Sequence, residues 1–171
     1  MHAIAPGLCQ YITVYARLAL GGTFLAAVTD RFGLWGPPGT HNVAWGNFDH
    51  FLAYAAQLNP YLPRTWMPAV GWGVTLAEVT CGLALIVGFQ IRKIAVGSGL
   101  LLLVFACGMT LGVGIKAPFN SSVFSAAAGA FLLATRSLPD PWSLDRWRAR
   151  QAHKPDTTTP GVGVDHQPKR A

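Results

Sequence analysis

Residues 94–115 read IAVGSGLLLLVFACGMTLGVGI, 22 positions without one charged side chain. A bilayer core of about 30 Å is spanned by a helix of about 20 mostly apolar residues. This run meets that length with nothing to interrupt it, and the rest of the chain is read outward from it. Two runs precede it, Tyr11–Val28 broken only by Arg17 and Val70–Phe89 broken only by Glu78. One follows, Phe119–Leu138, rich in Ala and Ser and carrying Arg136 near its end. An open sheet is excluded, because its edge N–H and C=O groups would go unsatisfied in lipid. The expected fold is an all-α integral membrane protein, a four-transmembrane-helix bundle with a periplasmic interfacial helix in its first loop. The expected helices are about 11–28, 70–89, 94–115 and 119–137.

Composition agrees with that class. Hydrophobic residues make up 51% of the 171 positions and charged residues 12%, about half the 25% of an average soluble chain. The net charge of +6 does not point to nucleic acid, since most Lys and Arg sit in short segments beside apolar runs. Cys9, Cys81 and Cys107 form no CxxC or Cys/His pattern, so no metal site is expected. The N-terminus lacks a basic leader and an A-x-A site, so the first helix is expected to stay as an anchor.

Loop charge gives an orientation. With four crossings, one side carries Arg92, Lys93, Arg136, Arg146, Arg148, Arg150, Lys154, Lys169 and Arg170, and the other carries Arg31, Arg64 and Lys116. Nine against three puts both termini in the cytoplasm and, in a bacterial inner membrane, the loop from Thr29 to Ala69 in the periplasm. Within that loop, Asn47 is placed to cap a helix. Phe48, Phe51, Leu52 and Ala55 share one face of it, and Asn59-Pro60 ends it. Trp35, Trp45, Tyr54, Tyr61, Trp66 and Trp72 surround it, which suits a helix lying flat at the membrane interface or an aromatic belt with no ligand role. Segment 138–151 is expected to be a basic amphipathic cytoplasmic helix resting on anionic lipid. Segment 152–171 is expected to be a disordered tail, leaving 1–137 as the membrane domain.

Arg17 and Glu78 stand inside apolar runs. An unpaired charge at the bilayer centre costs on the order of 2.5–3.5 kcal/mol on insertion scales, so a mutual pair is expected. Arg17 is about 9 Å and Glu78 about 16 Å from the cytoplasmic helix ends, a gap a long Arg side chain spans. Thr13 and Gly21 share the face of Arg17, and Thr75 and Gly82 the face of Glu78. These six positions are the candidate intramembrane site. It is either an ion pair fixing helix register or a polar centre for a ligand head group or protons. A second cluster, Asp30, Arg31, Asp49, His50, Lys116 and Asn120, with His41, falls at the outer mouth. The alternative is a solvated loop surface.

The run Arg17-Leu18-x-Leu20-Gly21 with Phe24, followed by Glu78 with Gly82 and Gly88, resembles the DoxX family of small bacterial membrane proteins over about residues 10–137. That resemblance implies a subunit or accessory of a membrane redox system of the quinol- or thiosulfate-oxidising type. The sequence has no haem ligand pair, Rossmann glycine pattern or iron–sulfur cysteine set, so no covalently bound cofactor is expected. Such a role would need an exchangeable quinone or a redox-enzyme partner subunit, with a homo-oligomer also open. The alternatives are a non-enzymatic scaffold recruiting an oxidoreductase and a small-solute transporter.

Overall fold

A computed structural model describes residues 6–135 and 142–152. The expected disordered tail beyond residue 152, together with Arg136 and Pro139-Asp140-Pro141, lies outside the described residues. Among those described there are helices and no strands. In chain order they are α1 (Pro6–Arg31), α2 (Phe48–Leu58), a 3-10 turn (Arg64–Trp66), α3 (Met67–Val87), α4 (Ile91–Val113), α5 (Lys116–Asn120), α6 (Val123–Ala134) and α7 (Leu144–Ala152).

Three of these helices are long and apolar enough to cross a membrane: Gly7–Arg31, Arg64–Val87 and Ile91–Val113, with mean hydropathies of 1.4, 1.8 and 2.2. Their outward faces carry exposed Leu18, Leu76, Leu83, Leu100, Val104 and Leu111, an apolar surface that water would not tolerate and lipid does. The chain is therefore a multi-pass membrane protein.

The fourth apolar run is not one helix from 119 to 137 over its described part. It is divided into α5 and α6. The division falls at Asn120-Ser121-Ser122, whose short polar side chains compete with helical backbone bonding, and Ser122 adopts a left-handed φ of 54°. α6 alone has 12 residues, about 18 Å of helix.

The bundle is built from two helix pairs. α1 lies along α3 at a glycine seam. A Cβ on Gly21 would stand 2.8 Å from the Gly82 carbonyl oxygen, and one on Gly82 would stand 3.0 Å from Leu25. In lipid, where helices gain nothing by hiding from water, such close backbone approach supplies the packing energy. α4 lies along α6, with the Phe131 ring over Gly99. Phe24, Leu85, Ala95, Leu102, Ala127 and Leu133 fill the space between the pairs.

The first loop folds back over one end of the bundle. Asp30 accepts hydrogen bonds from the backbone N–H groups of Ala44 (3.1 Å) and Trp45 (2.8 Å), which ties the loop to the end of α1. Asn47 caps α2, its side chain accepting from the His50 N–H at 2.8 Å. α2 then seats against α3, where Leu52 covers Gly71, and against α4, where Gly112 meets the backbone of Gln57 and Leu58. At the opposite end of the bundle, Asp145 at the start of α7 accepts from the N–H groups of Gln90 (3.0 Å) and Ile91 (3.2 Å). It thus supplies α4 with the N-terminal acceptor that Gln90 itself does not.

Gly112 offers a test of how α2 is held. A Cβ there would lie 2.5 Å from both the Gln57 oxygen and the Leu58 Cα, and backbone cannot swing aside. Gly112→Val is expected to lower unfolding stability in detergent by about 1–3 kcal/mol. Gly97, which has nothing within 4 Å, should accept Ala with a change within about 1 kcal/mol. Equal losses for the two variants would show that α2 does not depend on this contact.

Candidate functional site

The last turn of α1 carries Arg31 into the interior, where it is 2% exposed. Its Nη1 donates to the Thr75 hydroxyl at 3.0 Å and forms an ion pair with Glu78. Thr75 spends its own proton on the Gly71 carbonyl at 2.7 Å, so its oxygen is left as an acceptor for the arginine. The guanidinium carbon lies 3.8 Å from the Phe51 ring centroid and 5.2 Å from that of Trp45, close enough for cation–π attraction. Three elements thus grip one cation: α3 by charge and hydroxyl, α2 and its leading loop by aromatic faces. The Arg31 Nε–H is buried and has no hydrogen-bond partner among the described residues.

Arg31 and Glu78 form the polar end of a cavity of about 600 Å³, within the range of small-molecule sites. Its walls are otherwise mostly apolar, including Phe24 and Ala27 of α1, Phe51 and Tyr54 of α2, Val74 of α3, and Phe105 and Met109 of α4. Burial pushes the Tyr54 phenol above its ordinary pKa, so it stays protonated at neutral pH and available as a donor. His50 lines the cavity from its exposed position on α2.

The expected partner of Glu78 was Arg17, and here the structure corrects the sequence reading. Arg17 is buried (1% exposed) but turns to the far end of α3. Its Nε donates to the Leu85 carbonyl at 2.9 Å and its Nη2 to the Ile86 carbonyl at 2.9 Å. Both terminal nitrogens also reach the Trp142 carbonyl at 3.3 Å. It caps carbonyls at a helix C-terminus that have no partner within the helix, where a cation also suits the helix dipole. The reason is register. The Gly21–Gly82 contact sets Arg17 opposite Leu85 and Ile86. Glu78 lies seven residues, about 10 Å of helix, further along α3. Because α1 continues to Arg31 instead of ending near residue 28, the other arginine of that helix falls opposite Glu78.

The remaining expected site residues divide between interior and surface. Thr75 belongs to the arginine's hydrogen-bond set. Thr13 donates to the Cys9 carbonyl within its own helix at 2.8 Å, and Gly21 and Gly82 form the packing seam. None of Thr13, Gly21 and Gly82 lines the cavity. Asp30 and Arg31, placed at an outer mouth by sequence, are both buried. Asp30 serves the loop backbone, while His41, Asp49, Lys116 and Asn120 are exposed and do not line the cavity. Phe51 and Trp45 went unnoticed as arginine partners. The helical spacing of Phe51 and the aromatic character of both were visible, but not that a cation would sit on them.

These features define a multi-pass helical membrane protein with an ion pair at the polar end of an apolar cavity. Residues 9–119 match the model of a family described as methylamine utilisation protein MauE. The chain belongs to the MauE family. That match replaces the resemblance to DoxX. Of the residues behind that resemblance, Arg17, Gly21, Gly82 and Gly88 belong to the α1–α3 seam and its capped end, and Glu78 to the ion pair. No curated protein and no solved structure matches the chain. The matched stretch contains Arg31, Thr75 and Glu78.

A double-mutant cycle measures the pair. Arg31→Met or Glu78→Leu alone should cost about 3–5 kcal/mol, because each leaves a buried charge uncompensated, while the double variant should regain most of that loss. Arg17→Met combined with Glu78→Leu should be additive within about 0.5 kcal/mol. Strong coupling of Glu78 to Arg17 in detergent unfolding, with none to Arg31, would reverse the assignment.

Proposed function

We propose that this protein is a membrane accessory of a redox system of the methylamine-utilisation kind, and that its cavity holds an exchangeable quinone. The observation that carries the reading is the buried Arg31 Nε–H at the polar end of a largely apolar cavity. A quinone has the matching chemistry. Its ring and tail are apolar, and its carbonyl oxygen accepts a hydrogen bond from a buried cation, an interaction stronger than one between neutral groups. Glu78 keeps the arginine neutralised while the cavity is empty, and Tyr54 adds a second donor. The family's name supports the system. Oxidation of an amine releases electrons that need an acceptor, and a quinone dissolved in the bilayer is one such acceptor.

In this reading α1, α3 and α4 cross the bilayer, and α5 with α6 makes a fourth, divided crossing. Both termini face the cytoplasm of a bacterial inner membrane, as the nine-to-three distribution of basic residues favours. α2 then lies at the periplasmic interface as the roof of the cavity. A ligand soluble in the bilayer reaches such a site from the lipid without passing through water.

The protein extracted from native membranes in mild detergent should carry quinone in its lipid extract. A short-chain quinone should quench tryptophan fluorescence saturably, through Trp45 beside the cavity. Arg31→Met should weaken that binding about tenfold or more, the range for losing a hydrogen bond to a charged group. Neither copurification nor saturable quenching would end the quinone reading. A soluble oxidoreductase recovered with quinone-free protein would point to a scaffold role instead.

A further inference from the structure

We infer that the rim of the bundle formed by α7 and the first turn of α4 is a binding site for anionic phospholipid head groups. α7 is fastened against the ends of two spans, and the fastening consumes its single carboxylate. Asp145 accepts from the N–H groups of Gln90 and Ile91, and its own N–H donates to the Gly88 carbonyl at 3.3 Å. Gly88 has a left-handed φ of 75°, and a Cβ there would stand 2.7 Å from the Ser143 side chain. The chain entering α7 is therefore held in close backbone contact with the α3–α4 turn.

With Asp145 engaged, Arg146, Arg148 and Arg150 are left without a carboxylate partner among the described residues, as are Arg92 and Lys93 at the start of α4. Five cations thus crowd one rim. The Arg148 guanidinium lies 5.1 Å from the Phe89 ring centroid, which steadies it without neutralising it.

The place of these cations selects the partner. They sit where α3 ends at Val87 and α4 begins at Ile91, the depth at which spanning helices meet head groups. Trp142 and Trp147 stand beside them, 66% and 56% exposed, and amphipathic rings of this kind favour the lipid interface. A planar guanidinium matches a phosphate through two parallel hydrogen bonds. An acidic soluble protein would satisfy the charge but would not account for the exposed ring of Trp147 at membrane level. The site is independent of the cavity and of its ligand.

Full-length protein reconstituted with equal phosphatidylcholine and phosphatidylglycerol, then examined by native mass spectrometry, should retain phosphatidylglycerol in preference by about tenfold or more, given several basic residues acting near one surface. R146Q/R148Q/R150Q should lose most of that preference. Arg64→Gln, an exposed cation preceding the opposite end of α3, should keep it. If the triple variant does not fold, the wild-type protein decides. Its preference should decline as ionic strength rises from about 0.05 to about 0.5 M, since exposed charges are screened over that range. Equal retention of the two lipids by wild type, a salt-independent preference, or an intact preference in a folded triple variant overturns the assignment.

Discussion

The close contact of Gly21 with Gly82 sets the register on which the rest of the molecule depends. Two helices whose backbones touch cannot slide, because a shift of one residue would bring side chains where only hydrogen atoms fit. With that seam fixed, every other position on α1 has an assigned level on α3. Arg17 falls at the open carbonyls of the α3 C-terminus and Arg31 falls at Glu78. Two arginines fourteen residues apart on one helix thereby take unrelated jobs, one closing a helix end and the other furnishing a cavity.

The cavity follows from how the helices pair. α1 holds to α3 and α4 to α6, and the core between the pairs mixes Ala95, Ala127 and Ala134 with Phe24, Leu85, Leu102 and Leu133. Near the first loop the pairs are kept apart by α2, which rests on glycines of α3 and α4. The space beneath it remains open. Arg31 is stable there only because charge, hydroxyl and two aromatic faces surround it together. Burial of a charge is tolerable when it is paired and hydrogen-bonded, and costly otherwise. That one nitrogen of such a well-held group has no hydrogen-bond partner among the described residues is what distinguishes this end of the cavity from simple packing.

Much of this architecture is legible in the chain itself, and the misreadings have physical causes. The apolar runs mark the long helices, and the Asn47 cap with Asn59-Pro60 marks α2. Arg17 and Glu78 stand out because a charge in an apolar run needs a partner. Their pairing was misassigned because apolar periodicity shows where the greasy part of a helix stops, not where the helix stops. α1 runs on through Thr29 and Asp30 to Arg31, residues that read as loop. The fourth run looks continuous because Asn120, Ser121 and Ser122 are small and uncharged. Their tendency to divert backbone hydrogen bonds is a local effect that a hydropathy count does not register. The resemblance to DoxX rested largely on residues of the α1–α3 seam, together with Glu78, and the MauE match overturns it.

What the sequence determined by itself is the solvent of this protein and its helical class. Runs of about 20 apolar residues are stable only in lipid, and in lipid a helix satisfies its own backbone. What only the tertiary structure decided is which charges meet. A side chain's neighbours across a helix seam depend on axial register and on rotation about the helix axis. Both are set by a few glycine contacts between residues some sixty positions apart. A linear reading counts distance along one helix and cannot count it across two, and so it paired Glu78 with the wrong arginine.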